Sequence, residues 1–572
     1  MCRFLPALLL AAGLSACGII DTVTEIVAPP RCEAPQTGQS HDLAVEALYV
    51  TQVTQNGDGS VPLLASRQAL ARAFVVNRSA ADKPLDVPVV VTFQAKRRGE
   101  PLGSIQAEGP ECVPLEVARA DLTDSYAAQV PQSWIDEDVD VYATAHVEAD
   151  LAVKDLGRLR YPRSGSLRVR TTEAPPFRLT FVPVRYPDLT PDLGPTTAVE
   201  YLSFAQQVFP LEEVDVAVRA PYRFSGERDE RGDISRNLLI ELRELRLLDG
   251  SERYYFGIIE PHEAFLPAGL AYLGHPVAAA VARSWGGALP VGIIAHELGH
   301  NFGLRHAPCG DPDGIDINFP YSDGGIGVHG FDAQAGTIVD VNHKDLMSYC
   351  RPQWISDYHY LKVLEFRKRE ALAAQTSKEL QQVLLVSGSI DRDGLRLRPL
   401  FVTEAAVYPP EPGPYRLLLL DEAAEVLFET SFSTQQISDH SGRHVEHFAF
   451  TLPAKERWNQ ELHAAYVLDD RGNVLAEARA SRDLRLSRTE AAVRAMRLED
   501  GRVKLTWPSD SFAAALVRDP STREVLSRDE TGEVTFPYKR DELEVILSDG
   551  VQSLTLNVSI EVENGDRFEE GP

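Results

Sequence analysis

The sequence predicts a multidomain chain in which a central α+β domain is flanked on both sides by all-β sandwich domains. Three observations lead there. The 572 residues are enough for several cores, roughly four domains of about 150 residues each. Short runs of alternating or β-branched residues, separated by turn residues, occupy both ends. Helix-period patterns are confined to the middle, and one of those helices carries the most concentrated chemistry of the chain.

At the N-terminus, Met1 to Ala16 holds a single charge, Arg3, ahead of the apolar run Phe4 to Leu14. That run is too short to span a bilayer and is built like a secretory leader, so residues 1–16 are expected to be cleaved as a signal peptide. Leu14-Ser15-Ala16-Cys17-Gly18 resembles the lipobox of bacterial lipoproteins. The resemblance implies lipidation of Cys17, and Gly18 in place of Asp implies the outer membrane or cell surface, with extracellular release as an extension. The alternative is a plain secretory leader. Residues 17–41, with Pro29, Pro30 and Pro35, then form a flexible lipidated tether.

The acidic balance of 57 Lys and Arg against 84 Asp and Glu, a net charge of −27, makes nucleic acid a poor partner and anionic lipid a poor surface for the protein itself. No later segment reaches eighteen consecutive apolar residues, so any membrane attachment is expected through the N-terminal lipid alone.

Residues 42–170 read as the N-terminal β-sandwich: Val45 to Val50, Ala69 to Val76, Val87 to Phe93, Tyr126 to Val130, Val139 to Val147 and Leu167 to Val169, with turns such as Asn56-Gly57-Asp58-Gly59. Thr171 to Pro176 reads as a linker. The central domain is placed at 177–382. Arg178 to Val184 is a strand, Thr197 to Val208 a helix opened by a Thr197-x-x-Glu200 capping box, and Val214 to Val218 a strand. Ser235 to Leu248 is a leucine-lined helix, Tyr254 to Ile259 a strand, and Asp357 to Gln381 a long charged amphipathic helix.

The chemistry sits in Ala295-His296-Glu297-Leu298-Gly299-His300-Asn301-Phe302-Gly303-Leu304-Arg305-His306. On a helix, His296 and His300 are one turn apart and leave the same face, where both imidazoles reach one metal ion. Glu297 lies about 100° further round, displaced from the ligand set but near enough to take a proton from water at such an ion. Gly303 stops the helix where a left-handed backbone is cheap, so the chain doubles back and brings His306 in as a third nitrogen ligand. Three histidines leave a coordination position open, the pattern of a catalytic zinc. Histidine is scarce, 14 in 572, so this spacing is not an incidental amphipathic helix.

About forty residues on comes Asp345-Leu346-Met347-Ser348-Tyr349-Cys350. H-E-x-x-H-x-x-G-x-x-H followed by a methionine turn resembles the metzincin clan of zinc endopeptidases. The resemblance implies a zincin-like α+β catalytic domain with His296, His300 and His306 as ligands, Glu297 as general base and Met347 in a structural turn beneath the metal. It makes Tyr349 a candidate oxyanion stabiliser, packing in the turn being the alternative. It also implies that Gly269 to Gly274 forms the upper rim of the cleft, with an exposed edge able to bind an extended peptide by strand addition. Large bacterial metzincins of this layout cut host or mucin-type glycoproteins, which implies an extracellular protein or glycoprotein substrate. Ala307, at a position that several metzincin families mark with their own residue, leaves the subfamily unassigned.

Four cysteines remain after Cys2 and Cys17, an even number that suits two disulfides in an exported protein. Cys309 lies three residues after His306 and Cys350 three after Met347, so Cys309 with Cys350 is the expected pair, leaving Cys32 with Cys112. The interval between Cys309 and Cys350 is longer than the compact metzincin pattern and rich in oxygen donors: Asp311, Asp313, Asp316, Asn318 and Asp323. Calcium is one expectation for this loop, and a solvated cleft edge is the other.

Downstream, 383–485 gives some seven strand-type runs, among them Tyr415 to Leu420 and His447 to Leu452, and 490–572 repeats the style over a smaller sandwich. Two immunoglobulin-like or fibronectin-like sandwiches fit. The whole therefore reads as an exported zinc endopeptidase. A surface adhesin or glycan-binding protein with a non-catalytic metal site, and a zinc hydrolase of non-peptide amides, are the competing readings. Glu297 weighs against the adhesin, because a three-histidine structural site has no duty for it.

Overall fold

The computed structural model describes residues 32–562, except 37, 56, 80–82, 149, 229–231, 266–267, 284–286, 374–378, 439–444, 456–457 and 481–492. The leader, Cys17 and the junction between 485 and 490 lie outside the described residues. The chain is multidomain and mostly β-sheet, with few helices.

The central sheet is built on Pro176–Arg185, a strand with apolar residues on both faces. Such a strand needs cover on both sides, and parallel pairing provides for it. It pairs in parallel with Tyr254–Ile259 on one side and with Glu212–Val218 and Tyr222–Arg223 on the other. Tyr254–Ile259 pairs in parallel with Val277–Val281, and the rim strand Gly269–Ala271 closes that edge antiparallel.

Five helices matter to the site: α1 (Pro195–Tyr201), α2 (Ser203–Val208), α3 (Ser235–Leu248), α4 (Val291–Asn301) and α5 (Asp357–Ala373). Phe177, Leu179 and Phe181 pack with residues of α1, α2, α4 and α5, whereas Val182 and Val184 pack with α3 in a second core. Alternate residues of Val277–Val281 divide between the same two cores, as the two-residue period of a strand requires.

Two helix boundaries differ from the sequence expectation. The helix expected over Thr197 to Val208 begins instead at Pro195 after Gly194, without a side-chain cap, and breaks at Leu202. Pro195 is preset for a first helical turn, where its missing N–H costs nothing, so the start moves upstream of Thr197. The helix Asp357–Ala373 does not run on to Gln381, because Leu380–Asp391 is a strand paired with Glu446–Pro453. The boundary placed at 382/383 therefore falls inside a strand whose Val383 to Val386 are fully buried.

The linker expected at Thr171 to Pro176 is pinned. Thr171–Thr172 pairs in parallel with Leu63–Leu64, and the Glu212 carboxylate accepts from the backbone N–H groups of Ser66 (3.1 Å) and Ala174 (2.5 Å). The upstream domain packs two sheets, one on Val89–Arg97 and one on Leu70–Asn77, around a common core, and Cys32 and Cys112 are disulfide-bonded. Downstream, two sheets between Leu380 and Arg479 enclose a fourth core. The C-terminal strands are not a separate bead: Ser527 pairs with Arg223, which joins their sheet to the central one.

This docking explains α3. Its leucines face the central sheet as expected, but its charged residues are buried too, because the downstream domains cover its polar face. Arg398 reaches Glu241 (3.1 Å), Arg528 reaches Glu244 (3.1 Å), and Arg243 donates to the carbonyl of Ala449 (3.0 Å). Charges at such a depth persist only when paired. Among the described residues, no helix is long and apolar enough to cross a membrane.

Candidate metal centre

Helix α4 carries His296, Glu297 and His300 on buried positions and ends as the glycine spacing predicts. Gly303 adopts φ +81°. Its N–H donates to the carbonyl of His300 (2.8 Å) and the N–H of Leu304 to that of Gly299 (3.0 Å), the paired bonds of a Schellman motif. The reversal brings His306 back to the helix, and the ligand-type nitrogens of His296, His300 and His306 all lie within 4.8 Å of one another. Among the described residues this is the one cluster of its kind.

The rings are oriented as well as gathered. His296 Nδ1 lies 3.0 Å from the carbonyl of Leu346, His300 Nδ1 lies 2.8 Å from that of Leu304, and His306 Nδ1 meets that of Asp313. A carbonyl only accepts, so each Nδ1 carries the proton and each Nε2 presents a lone pair. Three buried imidazoles locked in the same tautomer fit a nitrogen-loving divalent cation such as zinc.

Met347 is fully buried against α4, and a Cβ added at Gly299 would come 2.4 Å from its sulfur. Glycine is required there for that close approach. The turn is held from below by groups that sequence reasoning did not single out. The buried Asp345 carboxylate accepts from the N–H groups of Met347 (2.7 Å) and Ser356 (2.9 Å) and from His359 Nδ1 (2.8 Å). Burial alone would raise its pKa, but His359 and those hydrogen bonds hold it below its ordinary value. Asp345 was visible in the sequence; its depth, and its partners on the following turn and helix, were not.

Glu297 is 2% exposed, and burial pushes its carboxyl well above the ordinary carboxylate range, opposed by the hydroxyl of Ser438. Among the described residues, its Oε2 has no protein hydrogen-bond partner. The rim strand presses on it: a Cβ at Gly269 would lie 2.6 Å from Oε1. Gly269→Ala is accordingly expected to displace the carboxylate and lower kcat on the order of tenfold to a hundredfold with metal content unchanged. Steady-state kinetics beside metal analysis checks this, and unchanged kcat would sink it.

A cavity of about 210 Å³ opens on this face, lined in part by Gly269, His296, Glu297, Tyr349 and Arg351. Tyr349 is 41% exposed, with its hydroxyl 3.4 Å from His306 Nε2 and its ring 6.1 Å from that of His296. Cys309 and Cys350 are disulfide-bonded across the intervening loop, and the N–H of Tyr349 donates to the Cys309 carbonyl (3.0 Å).

Two carboxylates of the oxygen-rich loop are engaged by lysines: Asp316 is paired with Lys362 (2.7 Å) and Asp323 with Lys344 (2.7 Å). One expectation is corrected: the rim edge is not open along its length, because residues 436–438 of the downstream domain already pair with 271–273.

A family model described as Peptidase M66 matches residues 281–362, the segment that holds α4, the three histidines and the methionine turn. The match supports a metallopeptidase function. No match to a curated protein is found. Among solved structures, the chain is similar to a chain of a chaperone–substrate complex at 12% identity and TM-score 0.21, over 43% of this chain and 39% of that one. It is similar to DIP-gamma IG1+IG2 at 11% identity and TM-score 0.11, over 27% and 85%. The β-glucuronidase of Parabacteroides merdae matches at 9% identity and TM-score 0.14, over 91% and 78%. Scores this low assign neither fold nor function.

Proposed function

We propose that the chain is a metzincin-type zinc endopeptidase that hydrolyses peptide bonds of extracellular proteins or glycoproteins. The observation that carries the reading is a buried carboxylate, Glu297, one residue along the helix from the first of three histidines that converge on one point. His296, His300 and His306 would hold a zinc ion, which when bound would supply Lewis acidity toward a carbonyl and toward water, whose pKa such an ion lowers to about 7. Glu297 takes the proton of the attacking water and returns it to the leaving amine. Its water-poor surroundings hold it near the reacting atoms and favour the neutral form after transfer. Tyr349 stands beside the three histidines, its ring 5.1 Å from that of His306, and lines the cavity, so its hydroxyl is the donor assigned to the developing oxyanion. Met347 and the Cys309–Cys350 bridge act as structure, fixing the floor and the loop.

The export route completes the reading. Cys17 in its lipobox-like setting is taken as a lipid anchor at the outer membrane or cell surface, and the flanking β domains as immunoglobulin-like modules that present the protease to its substrate. The test is mass-spectrometric mapping of new peptide termini in a mixed proteome and glycoproteome. Protein as purified, stripped with a chelator, and reloaded with zinc are compared. New termini are expected in the first and third samples and absent from the second. Identical maps for all three, with zinc bound after reloading, would favour the surface-binding reading instead.

A further inference from the structure

The outer side of the rim strand is occupied by the downstream sandwich. Opposite Val277–Val281, the N–H of Ser438 donates to the carbonyl of Ala271 (2.8 Å), and the N–H of Leu273 donates to that of Gln436 (3.0 Å). Tyr272 and Ile437 form an antiparallel bridge between them. The Ser438 hydroxyl completes the seam: its oxygen accepts from the N–H of Ala271 (3.1 Å) and lies 3.0 Å from the Ala271 carbonyl. Gln436 Oε1 accepts from Arg305 (3.1 Å), the residue before His306.

Both ends of this seam are anchored. Gln435–Gln436 pairs with Glu446–Pro453 in the sandwich's own sheet, and from that sheet His447 Nδ1 meets the buried hydroxyl of Tyr272 at 2.7 Å. On the catalytic side, the Asn301 carboxamide at the end of α4 lies within hydrogen-bond distance of the carbonyls of Tyr272, His275 and Val277. Two residues before Ala271, Gly269 sits against the Glu297 carboxylate with no room for a Cβ. A small shift of the rim strand is therefore a shift of whatever touches Glu297.

We propose that Ser438 is a positioning residue for Glu297: the downstream sandwich lends residues 436–438 to the catalytic sheet as an added strand, and Ser438 sets the height of the rim over the carboxylate. This rests on the reading of Glu297 as the general base. It makes the catalytic centre a product of two domains, since the group that fixes the rim lies more than 130 residues beyond His306. A serine suits the task because one short side chain meets both main-chain groups of Ala271, whereas alanine would leave the N–H of the buried Ala271 without its acceptor.

The test uses the full chain with Ser438→Ala and Ser438→Thr, and two readouts. Amide exchange reports on the rim strand without any need for catalysis, and steady-state kinetics on a peptide that the wild type cuts reports on the base. Ser438→Ala is expected to lower kcat about tenfold with KM within about twofold, as a misplaced group would. It is also expected to speed exchange at Ala271 and Leu273 while the α4 amides stay protected. Ser438→Thr, which keeps the hydroxyl, is expected to restore both. Unchanged kcat in Ser438→Ala overturns the proposal, whether or not exchange changes. If the wild type cuts no peptide, the endopeptidase reading fails, and exchange alone judges the seam: unchanged protection at Ala271 in Ser438→Ala overturns it, and lost protection restored by threonine upholds it.

Discussion

Glu297→Gln is expected to lower kcat by on the order of 10²- to 10⁴-fold, the range a positioned general base contributes, while the protein keeps its metal and its fold. Glutamine is the sharper substitution because Glu297 is almost fully buried and packed against Gly269, so the replacement must keep its volume. The amide accepts no proton at neutral pH, but it fills the same space and spares the histidines, whose Nδ1 contacts run to Leu346, Leu304 and Asp313 and not to Glu297. Because burial already disfavours the charged carboxylate, thermal stability should hold or rise on neutralising it. Cleavage of a peptide substrate, metal stoichiometry and thermal unfolding measured together decide the matter. A variant that binds metal, melts like wild type and still cuts at the parental rate would remove Glu297 from the reaction.

Asp345→Ala is expected to be the most destabilising single change in the centre, costing about 3–5 kcal/mol, as does removing one partner from a buried charged network. The carboxylate collects two backbone N–H groups and the His359 ring at zero exposure, and alanine leaves all three without an acceptor. The loss reaches the metal site through the next residue, since the Leu346 carbonyl orients His296. Metal affinity should fall by about 10- to 100-fold, the usual effect of losing an outer-shell partner. Acid should act in the same direction. The folded state holds Asp345 below its ordinary 3.8, so its contribution is fully present above about pH 4 and is lost as pH falls through the folded pKa. Asp345→Asn should therefore lose less stability than wild type on acidification below pH 4. Equal melting temperatures for wild type and Asp345→Ala at neutral pH would show that the turn does not depend on this carboxylate.

What could be read without a structure was local. His296, Glu297, His300, Gly303 and His306 lie within eleven residues, and their geometry follows from helix periodicity and one left-handed glycine, φ +81°. The strands Tyr254–Ile259 and Pro176–Arg185 and the helix Ser235–Leu248 announced themselves through apolar runs and leucine spacing. Cys309 and Cys350 could be matched because each follows a motif residue by three positions.

Propensity misplaced two helix ends, and it did so where a competing local signal was stronger. Pro195 outranked the Thr197 cap, and the apolar run after Leu380 drew the chain into a strand where a charged helix was expected. The pairing of the loop carboxylates Asp316 and Asp323 with Lys362 and Lys344 was not legible, because nothing in the spacing shows which lysines come to stand opposite them.

By itself, then, the sequence determined the helix that carries two of the candidate ligands, its reversal and the identity of the candidate base, because those depend on contacts a few residues apart. Only the tertiary structure decided what surrounds them: that Asp345 underpins the methionine turn, that α3 is buried on its charged side, and that Ser438 borders the rim. The physical reason is range. A hydrogen bond or ion pair between residues 11 to 284 positions apart leaves no period or spacing in the chain, and it exists only once hydrophobic burial has brought distant segments into contact.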